Sequence, residues 1–244
     1  MSATISAPDL RHDAWMAAAE EEYRRLGSVL RDLSDDEWNR PTDCSEWTVR
    51  QMVAHLVGGA EAAASVREMV RQMRLGRRLR PGADGVDGMN AVQVQERAAT
   101  DPRQLCDDLD AAGARAVHRR SALPAALRAL PIPFGPPLGT KPLGYLMDRI
   151  YTRDDWMHRV DLARATGRAL EVTTDHDGRI VADVVAEWAR THGKPYRLSL
   201  TGPAGGSWSA GAADEEITLD AVEFCRIVSG RASGAGLLGH GVPF

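Results

Sequence analysis

The stretch from Leu143 to Ala165, LGYLMDRIYTRDDWMHRVDLARA, carries the periodicity that decides the fold. Spacings of three and four residues place one set of its side chains on a single face of an α-helix. That face comprises Leu143, Met147, Ile150, Asp154, Met157, His158, Asp161 and Ala165. Burying a carboxylate and an imidazole is unfavourable unless a partner compensates both. The pattern therefore predicts a core-facing helix on which Asp154 and His158 bind one common partner, for which a metal ion is one of the few candidates.

Three other segments show helical periodicity, so that four helices around one core are the simplest assembly. The fourth helix is predicted to be capped at Thr140, to hold Pro142 in its first turn and to end before Gly167. The others are predicted from about Ala7 to Leu33, from the capping pair Asp43 and Glu46 to roughly Arg74 with a Gly-rich connection after Arg80, and from Asp101-Pro102 to Leu123 or Leu127.

The sequence pattern changes after Gly167 and predicts a small α/β unit. The expected elements are a helix over 178–191, strands over 196–200, 207–210 and 216–219, and a helix over 220–228. We place the domain boundary near residue 170, which gives a metal-binding bundle over 1–170 and a small α/β domain over 171–244. The fold class is therefore α+β, with a four-helix bundle followed by a smaller α/β domain.

Composition excludes several classes of protein. The chain has 244 residues, of which 43% are hydrophobic and 26% charged, so it can bury a sizeable core. A net charge of -4 argues against a general nucleic-acid binder. Because the sequence shows neither a leader nor a long apolar run, we expect a cytoplasmic protein without a membrane partner, as a monomer or homodimer. Two lysines among 30 basic residues indicate a high-GC bacterial genome.

A metal site is predicted from three residues on two helices. Asp154 and His158 are four residues apart and can therefore meet one ion, although a simple hydrogen bond between them is the plainer interpretation of that pair alone. His55 lies at the border of the apolar stripe of the second helix, where a solvated histidine is not expected. One carboxylate and two histidines form a common three-ligand set that leaves the fourth position of zinc open.

Neighbouring polar residues are given other roles. Asp161 is expected to accept a hydrogen bond from His158 and to hold its ring, as residues behind metal ligands often do. Cys44 is interpreted as a buried thiol in the first turn of the second helix, about 16 Å along the axis from His55 and too far to share its ion. Trp47 is assigned to a helix and to the core.

Two sequence motifs resemble those of a known protein family. They are Pro41-Thr42-Asp43-Cys44-Ser45-Glu46-Trp47-Thr48-Val49 followed by His55-Leu56, and Arg153-Asp154-Asp155-Trp156-Met157-His158-Arg159-Val160-Asp161. Both are similar to the mycothiol-dependent maleylpyruvate isomerases, a family within the DinB-like metal-binding bundles. The C-terminal Gly206-Ser207-Trp208, Ser229-Gly230-Arg231 and Val242-Pro243-Phe244 carry a weaker likeness. The resemblance spans nearly the whole chain.

The resemblance implies zinc held by His55, Asp154 and His158, and mycothiol as the thiol cofactor. The family usually has glutamate where Asp154 stands. Arg231 matches a C-terminal Gly-Arg of the family, and Arg97 is a looser candidate for binding the thiol or the substrate. The implied reaction is cis-trans isomerisation of maleylpyruvate-like dicarboxylic acids, or S-transfer to a small electrophile. A non-catalytic protein that binds a metal or ligand in a regulatory or stress role is the alternative.

Overall fold

A computed structural model describes residues 10–44, 47–135, 138–213 and 216–244 of this chain. It contains two compact units, one built from His12–Arg168 and the other mainly from Ala169–Phe244. The first unit is helical apart from one β-hairpin, whereas the second combines two helices with a three-stranded sheet. The predicted α+β class is thereby confirmed.

The first unit contains seven α-helices among its described residues. A short 3-10 helix, Glu37–Asn39, follows the first of them, and a π-helix, Tyr145–Ile150, leads directly into the last. The α-helices are α1 (His12–Arg31), α2 (Val49–Ala64), α3 (Val66–Leu79), α4 (Gly85–Glu96), α5 (Pro102–Ser121), α6 (Ala125–Arg128) and α7 (Tyr151–Thr166).

Four of these helices form the predicted bundle. Helices α1 and α2 each contact both α5 and α7, which closes a ring of four helices around one core. Apolar side chains at helical spacing fill that core, among them Leu26, Val53, Leu56, Leu105 and Leu109, all of which are buried. Helix α7 ends where predicted, because Gly167 adopts the left-handed conformation with φ of 72°.

The predicted bounds of the second helix are wrong at both ends. The capping box is formed by Thr48 and Gln51, and Asp43 instead pairs with Arg164; Glu46 lies outside the described residues. Helix α2 ends at Ala64 because the side chain of Ser65 accepts a hydrogen bond from the backbone N–H of Glu68 and caps a new helix. A serine that bonds the backbone in this way starts a helix in preference to continuing one.

Helix α4 replaces the predicted Gly-rich connection. The side chain of Asp84 caps it by accepting from the backbone N–H of Val86 at 2.8 Å. Glycine usually weakens a helix, but here Gly88 allows α4 to lie directly against α3. A Cβ atom added at Gly76 would come within 2.4 Å of the backbone of Gly88. Close helix packing therefore outweighs the low helix propensity of this segment.

The predicted start of the fourth helix is also wrong. Thr140 and Pro142 belong to a β-strand, β2 (Gly139–Pro142), which pairs antiparallel with β1 (Pro131–Gly135). Gly139 has φ of 66°, the left-handed conformation that such a hairpin turn requires. Pairing with β1 keeps the segment extended, and helical structure begins only at Leu143, directly before the π-helix. Pro136 and Pro137, which precede this turn in the sequence, lie outside the described residues.

The second unit matches its sequence prediction closely. It contains α8 (Asp177–His192), β3 (Tyr196–Thr201), β4 (Gly206–Ala210), β5 (Glu216–Asp220) and α9 (Ala221–Val228). A last 3-10 helix spans Gly236–Gly239. Strand β3 is central, antiparallel to β4 and parallel to β5. The side chain of Asp220 caps α9 by accepting from two backbone N–H groups.

Among the described residues, none of the helices is both long enough and apolar enough to cross a lipid bilayer.

Candidate metal centre

The three predicted ligands lie together inside the bundle. The carboxylate of Asp154 stands between two imidazoles, with its Oδ2 3.2 Å from His55 Nε2 and its Oδ1 3.3 Å from His158 Nε2. One ligand atom from each residue falls within 4.8 Å of the others. His55 comes from the middle of α2, and the other two residues come from successive turns of α7. Neighbouring helices thus supply all three potential donors.

Each imidazole is fixed from behind by a hydrogen bond. His158 Nδ1 lies 3.0 Å from Oδ2 of Asp161, a carboxylate that is fully buried. His55 Nδ1 lies 2.7 Å from Oε1 of Gln93, on α4. When a ring donates its Nδ1 proton outward, its Nε2 lone pair remains available to a metal ion. Both rings have their Nε2 atoms facing Asp154.

The charges of the cluster are mutually dependent. Burial opposes ionisation of Asp154, but His158 and His55 outweigh it and hold the pKa of this carboxyl well below its usual range. Burial also disfavours the charged form of His158, yet Asp154 and Asp161 raise the pKa of this imidazole well above its usual value. A divalent cation could replace the protons that otherwise balance this buried negative charge.

The donor set suits zinc. Two imidazole nitrogens and one carboxylate oxygen are common ligands of catalytic zinc, which keeps its fourth position for water or substrate. Donors bonded to zinc at about 2.0–2.1 Å are about 3.3 Å apart in a regular tetrahedron. Oδ2 of Asp154 has a separation of this size, 3.2 Å, from His55 Nε2, and its other oxygen, Oδ1, lies 3.3 Å from His158 Nε2. The short aspartate arm therefore reaches both rings.

Cys44 lies closer to this centre than the sequence indicated. It occupies the loop before α2, not the first turn of that helix. Its Sγ is 3.5 Å from Oδ2 of Asp161 and 3.9 Å from Nδ1 of His158, on the side of the ring away from Asp154. The distance along the helix from His55 therefore does not apply, because Cys44 lies outside α2. The thiol contacts the residues behind the candidate ligands.

Trp47 links the centre to a neighbouring cavity. It precedes α2 and is half-buried, and its ring centroid lies 4.9 Å from that of His55 and 6.2 Å from that of His158. The same residue lines a cavity of about 650 Å³ bounded by parts of α2, α3 and α4, with Arg50 and Arg97 also in its wall. A small molecule in this cavity would contact the indole that covers both imidazoles.

The two predicted arginines occupy different units. Arg97 follows the last residue of α4 and forms an ion pair with Glu61, while its guanidinium also donates to the backbone oxygen of Gln93 at 3.2 Å. Arg231 belongs to the second unit, just after α9, where its backbone N–H donates to the carbonyl of Arg226 at 2.8 Å. The first unit therefore brings together His55, Asp154, His158 and Asp161, with Arg97 in the adjacent cavity wall.

Sequence reasoning missed two residues of the centre. Gln93 was overlooked because its segment was predicted to be a connection and because an amide gives no charge pattern to follow. Trp47 was assigned to the core on the basis of residue type. Trp47 directly precedes Thr48, which forms the capping box with Gln51, and it lies eight residues before His55. This position is a signal that could have located it at the start of the helix.

Comparisons with known proteins agree with this fold. The sequence model of a family described as the mycothiol maleylpyruvate isomerase N-terminal domain matches residues 19–163. An uncharacterized protein of Mycobacterium tuberculosis is 24% identical over 89% of this chain and 85% of its own length. A second one is 27% identical, covering 75% of this chain and 81% of its own.

Solved structures show the same architecture. A crystal structure of the mycothiol-dependent maleylpyruvate isomerase aligns with a TM-score of 0.61 and 18% identity over 92% of this chain and 91% of that one. A variant of that enzyme with one histidine changed to alanine aligns with the same TM-score and coverage at 17% identity. At this level of identity the likeness establishes a shared fold.

Proposed function

The chain belongs to the mycothiol maleylpyruvate isomerase family, and from that membership we propose that it is a zinc-dependent enzyme that uses mycothiol as its thiol cofactor. The reaction is either cis-trans isomerisation of maleylpyruvate-like acids or transfer of the thiol sulfur to an electrophile. The observation that carries the proposal is the convergence of His55 Nε2 and His158 Nε2 on the two oxygens of Asp154.

His55, Asp154 and His158 would hold the zinc ion in this proposal. When bound, zinc would keep a coordinated thiol deprotonated at neutral pH, and such a thiolate can add reversibly to a double bond conjugated to a carbonyl, or displace a leaving group. Both reaction types need the same thiolate. The acceptor of that sulfur therefore decides between isomerase and S-transferase.

The surrounding residues prepare the centre for this chemistry. Asp161 and Gln93 hold the two imidazoles so that their Nε2 atoms face inward. Trp47 packs beside both rings, with its ring centroid 4.9 Å from that of His55 and 6.2 Å from that of His158. Because Asp154 is 27% exposed, the centre remains open to a small ligand on its side. This combination of fixed donors and one open side is typical of a catalytic metal site.

Cationic partners for a carboxylate substrate are proposed on each unit. Arg97 lines the cavity that Trp47 shares with the metal centre, and its ion pair with Glu61 would have to yield to an anionic ligand. Arg231 is proposed from its match to the Gly-Arg of the family. Arginine suits this role because its planar guanidinium can bind a carboxylate through two hydrogen bonds.

Metal analysis combined with a thiol assay tests the proposal. Native protein purified without added metal should contain about one zinc per chain, and His55→Ala should lose it. With mycothiol, the zinc-loaded native protein should isomerise cis-enone dicarboxylic acids or consume thiol in the presence of electrophiles. Zinc-loaded protein that does neither would contradict the enzyme and would support a non-catalytic metal-binding role. Absence of metal from native protein would contradict the centre itself.

A further inference from the structure

A line of buried amides runs behind His55. From His55 Nδ1 the line continues to Oε1 of Gln93 at 2.7 Å, and Nε2 of Gln93 donates to Oε1 of Gln72 at 2.8 Å. Nε2 of Gln72 then donates to the backbone carbonyl of Gly58 at 3.0 Å. Gln72 is fully buried, and Gln93 is only 2% exposed. These residues connect α2, α3 and α4 through hydrogen bonds out of contact with solvent.

The direction of this line is determined at its far end. A backbone carbonyl can only accept a hydrogen bond, so the amide of Gln72 must turn its NH₂ group towards Gly58. The carboxylate of Glu68 also accepts from this NH₂ group, at 3.0 Å, and favours the same orientation. The oxygen of Gln72 is then left to face Gln93.

The same reasoning extends to the histidine. Gln93 donates to the oxygen of Gln72, so its own oxygen faces His55 and can only accept. Nδ1 of His55 must therefore carry a proton. The Nε2 atom of the ring, 3.2 Å from Asp154, is left as the nitrogen that can bind a metal ion.

We propose that Gln93 is a positioning residue of the metal centre, and that Gln72 and the carbonyl of Gly58 determine its orientation. Gln93 acts through His55 and touches no reacting atom. The proposal rests on the proposed function, because a bound metal ion is what makes use of the orientation of the ring. It assigns a role to α3 and α4, two of the helices of this unit that lie outside the four-helix bundle.

Packing around Gln93 supports this assignment. A Cβ atom added at Gly58 would come within 2.4 Å of Cγ of Gln93, so the glycine provides the space in which that side chain lies. Position 58 is one helical turn from His55 on the same helix. Gly58 therefore contributes both the carbonyl that ends the line and the close approach that brings Gln93 to the ring.

Three variants separate positioning from packing. Gln93→Leu removes the acceptor while keeping a similar volume, and we expect zinc affinity to fall by roughly 10–100-fold. Gln93→Glu keeps an acceptor and should bind zinc within roughly threefold of the native protein. Gln72→Leu disturbs the same buried region but leaves the oxygen of Gln93 able to accept from His55, so its zinc affinity should fall less than that of Gln93→Leu.

Zinc affinity is measured by competition with a chromophoric chelator, and thermal unfolding is recorded for each metal-free variant. Exposed Gln95→Leu on the same helix serves as the control and should change neither quantity. The proposal is overturned if Gln93→Leu binds zinc like native protein. It is equally overturned if Gln72→Leu changes zinc affinity no more than the Gln95→Leu control, or if Gln93→Glu gives no rescue.

A second readout does not depend on metal binding. In nitrogen-15 NMR of metal-free protein, the Nδ1 proton of His55 should exchange slowly in native protein and in Gln95→Leu, and it should be lost from view in Gln93→Leu. If native protein binds no zinc but shows this proton, the proposed function fails while the hydrogen-bonded line stands. If the proton is absent from native protein, the positioning role of Gln93 is overturned whatever the metal content.

Discussion

Asp154 and Asp155 are adjacent carboxylates in opposite electrostatic environments. Two histidines hold the pKa of Asp154 well below its usual range in spite of burial, so it is ionised. Burial and the neighbouring charge of Asp154 raise the pKa of Asp155 well above its usual range, which disfavours its ionised form. A difference of this kind at one point of a helix marks Asp154 as the carboxylate available to a cation.

This contrast predicts the effects of two matched variants. Asp154→Asn removes the charge and one ligand oxygen, and zinc affinity should fall at least about tenfold. Asp155→Asn replaces a carboxyl group whose ionised form is disfavoured with a neutral amide of the same shape, and it should leave zinc affinity unchanged. Both variants are titrated with zinc at pH 7 and compared by circular dichroism. Equal losses in the two would contradict the assignment of Asp154 as a ligand.

Glu37 predicts a pH-dependent contribution to stability. Its carboxylate accepts two hydrogen bonds from Arg168, at 2.8 and 2.9 Å, and these bonds together with those from Ser34 lower its pKa to about 2. Because the folded-state pKa lies below the unfolded value of 4.5, the stabilisation is complete above that value and is lost as the pH falls from there towards 2.

Glu37→Gln should therefore lower the free energy of unfolding at pH 7 and have a smaller effect at each step below pH 4.5. Urea unfolding of native and variant protein at pH 7, 5 and 3.5 measures this difference. Glu20→Gln, a change of the same type at an exposed position of α1, shows how much any loss of one carboxylate contributes. A difference that stays constant down to pH 3.5 would contradict the role given to the ion pair.

At the residue scale, helical periodicity was enough to single out the charged residues of the candidate centre. His55, Asp154, His158 and Asp161 stood out because charged groups on an apolar helix face need a partner, and the structure places the four side chains together. Gln93 could not be found in this way. An amide carries no charge. Which of its two polar groups faces His55 can be inferred only when the backbone carbonyl of Gly58 is known to lie at the far end of the hydrogen-bonded line.

At the scale of elements, Gly58 and Gly59 are neighbours in α2 with different surroundings. A Cβ atom at Gly58 would clash with Gln93, whereas one at Gly59 would meet nothing within 4 Å among the described residues. Glycine lowers the stability of a helix relative to alanine, unless close packing requires the absence of a side chain at that position. Gly58 is therefore required by packing, and Gly59 is not.

The two substitutions should have opposite effects on stability. Gly59→Ala should raise the free energy of unfolding by about 0.5–1 kcal/mol and leave zinc affinity unchanged. Gly58→Ala should lower both, because Gln93 must move away from His55 to make room. Urea unfolding of the metal-free proteins and zinc titration provide the two measurements. A Gly58→Ala variant that binds zinc like native protein would show that α4 can shift without consequence for the ring.

The errors in helix bounds share a physical origin. Ser65 lies within a continuous helical pattern, and only the geometry of its side chain shows that it caps a new helix. Gly82, Gly85 and Gly88 led to the prediction of a connection, yet packing of Gly88 against Gly76 compensates for the low helix propensity of residues 85–96. Contacts between elements distant in sequence decide both cases, and local propensity contains no information about such contacts.

At the scale of the whole molecule, the donors and the groups that orient them belong to one unit. His55, Gln93, Asp154, His158 and Asp161 all lie within His12–Arg168. Arg231 belongs to the other unit. The proposed metal ligands and Arg231, one of the two arginines proposed for an anionic substrate, thus belong to different parts of the chain. Metal binding and the contribution of Arg231 to activity should therefore be separable by experiment.

A shortened chain covering residues 1–170 tests this separation. It should bind zinc within roughly threefold of the full chain, because every group that holds or orients the ligands is retained. Its thiol-dependent activity should fall at least about tenfold, since Arg231, one of the two arginines proposed to bind the substrate, is missing. Full-length Arg231→Ala is the matched control: it should bind zinc normally and lose activity. A shortened chain that is helical by circular dichroism but binds no zinc would show that the second unit supplies a ligand or holds the centre in shape.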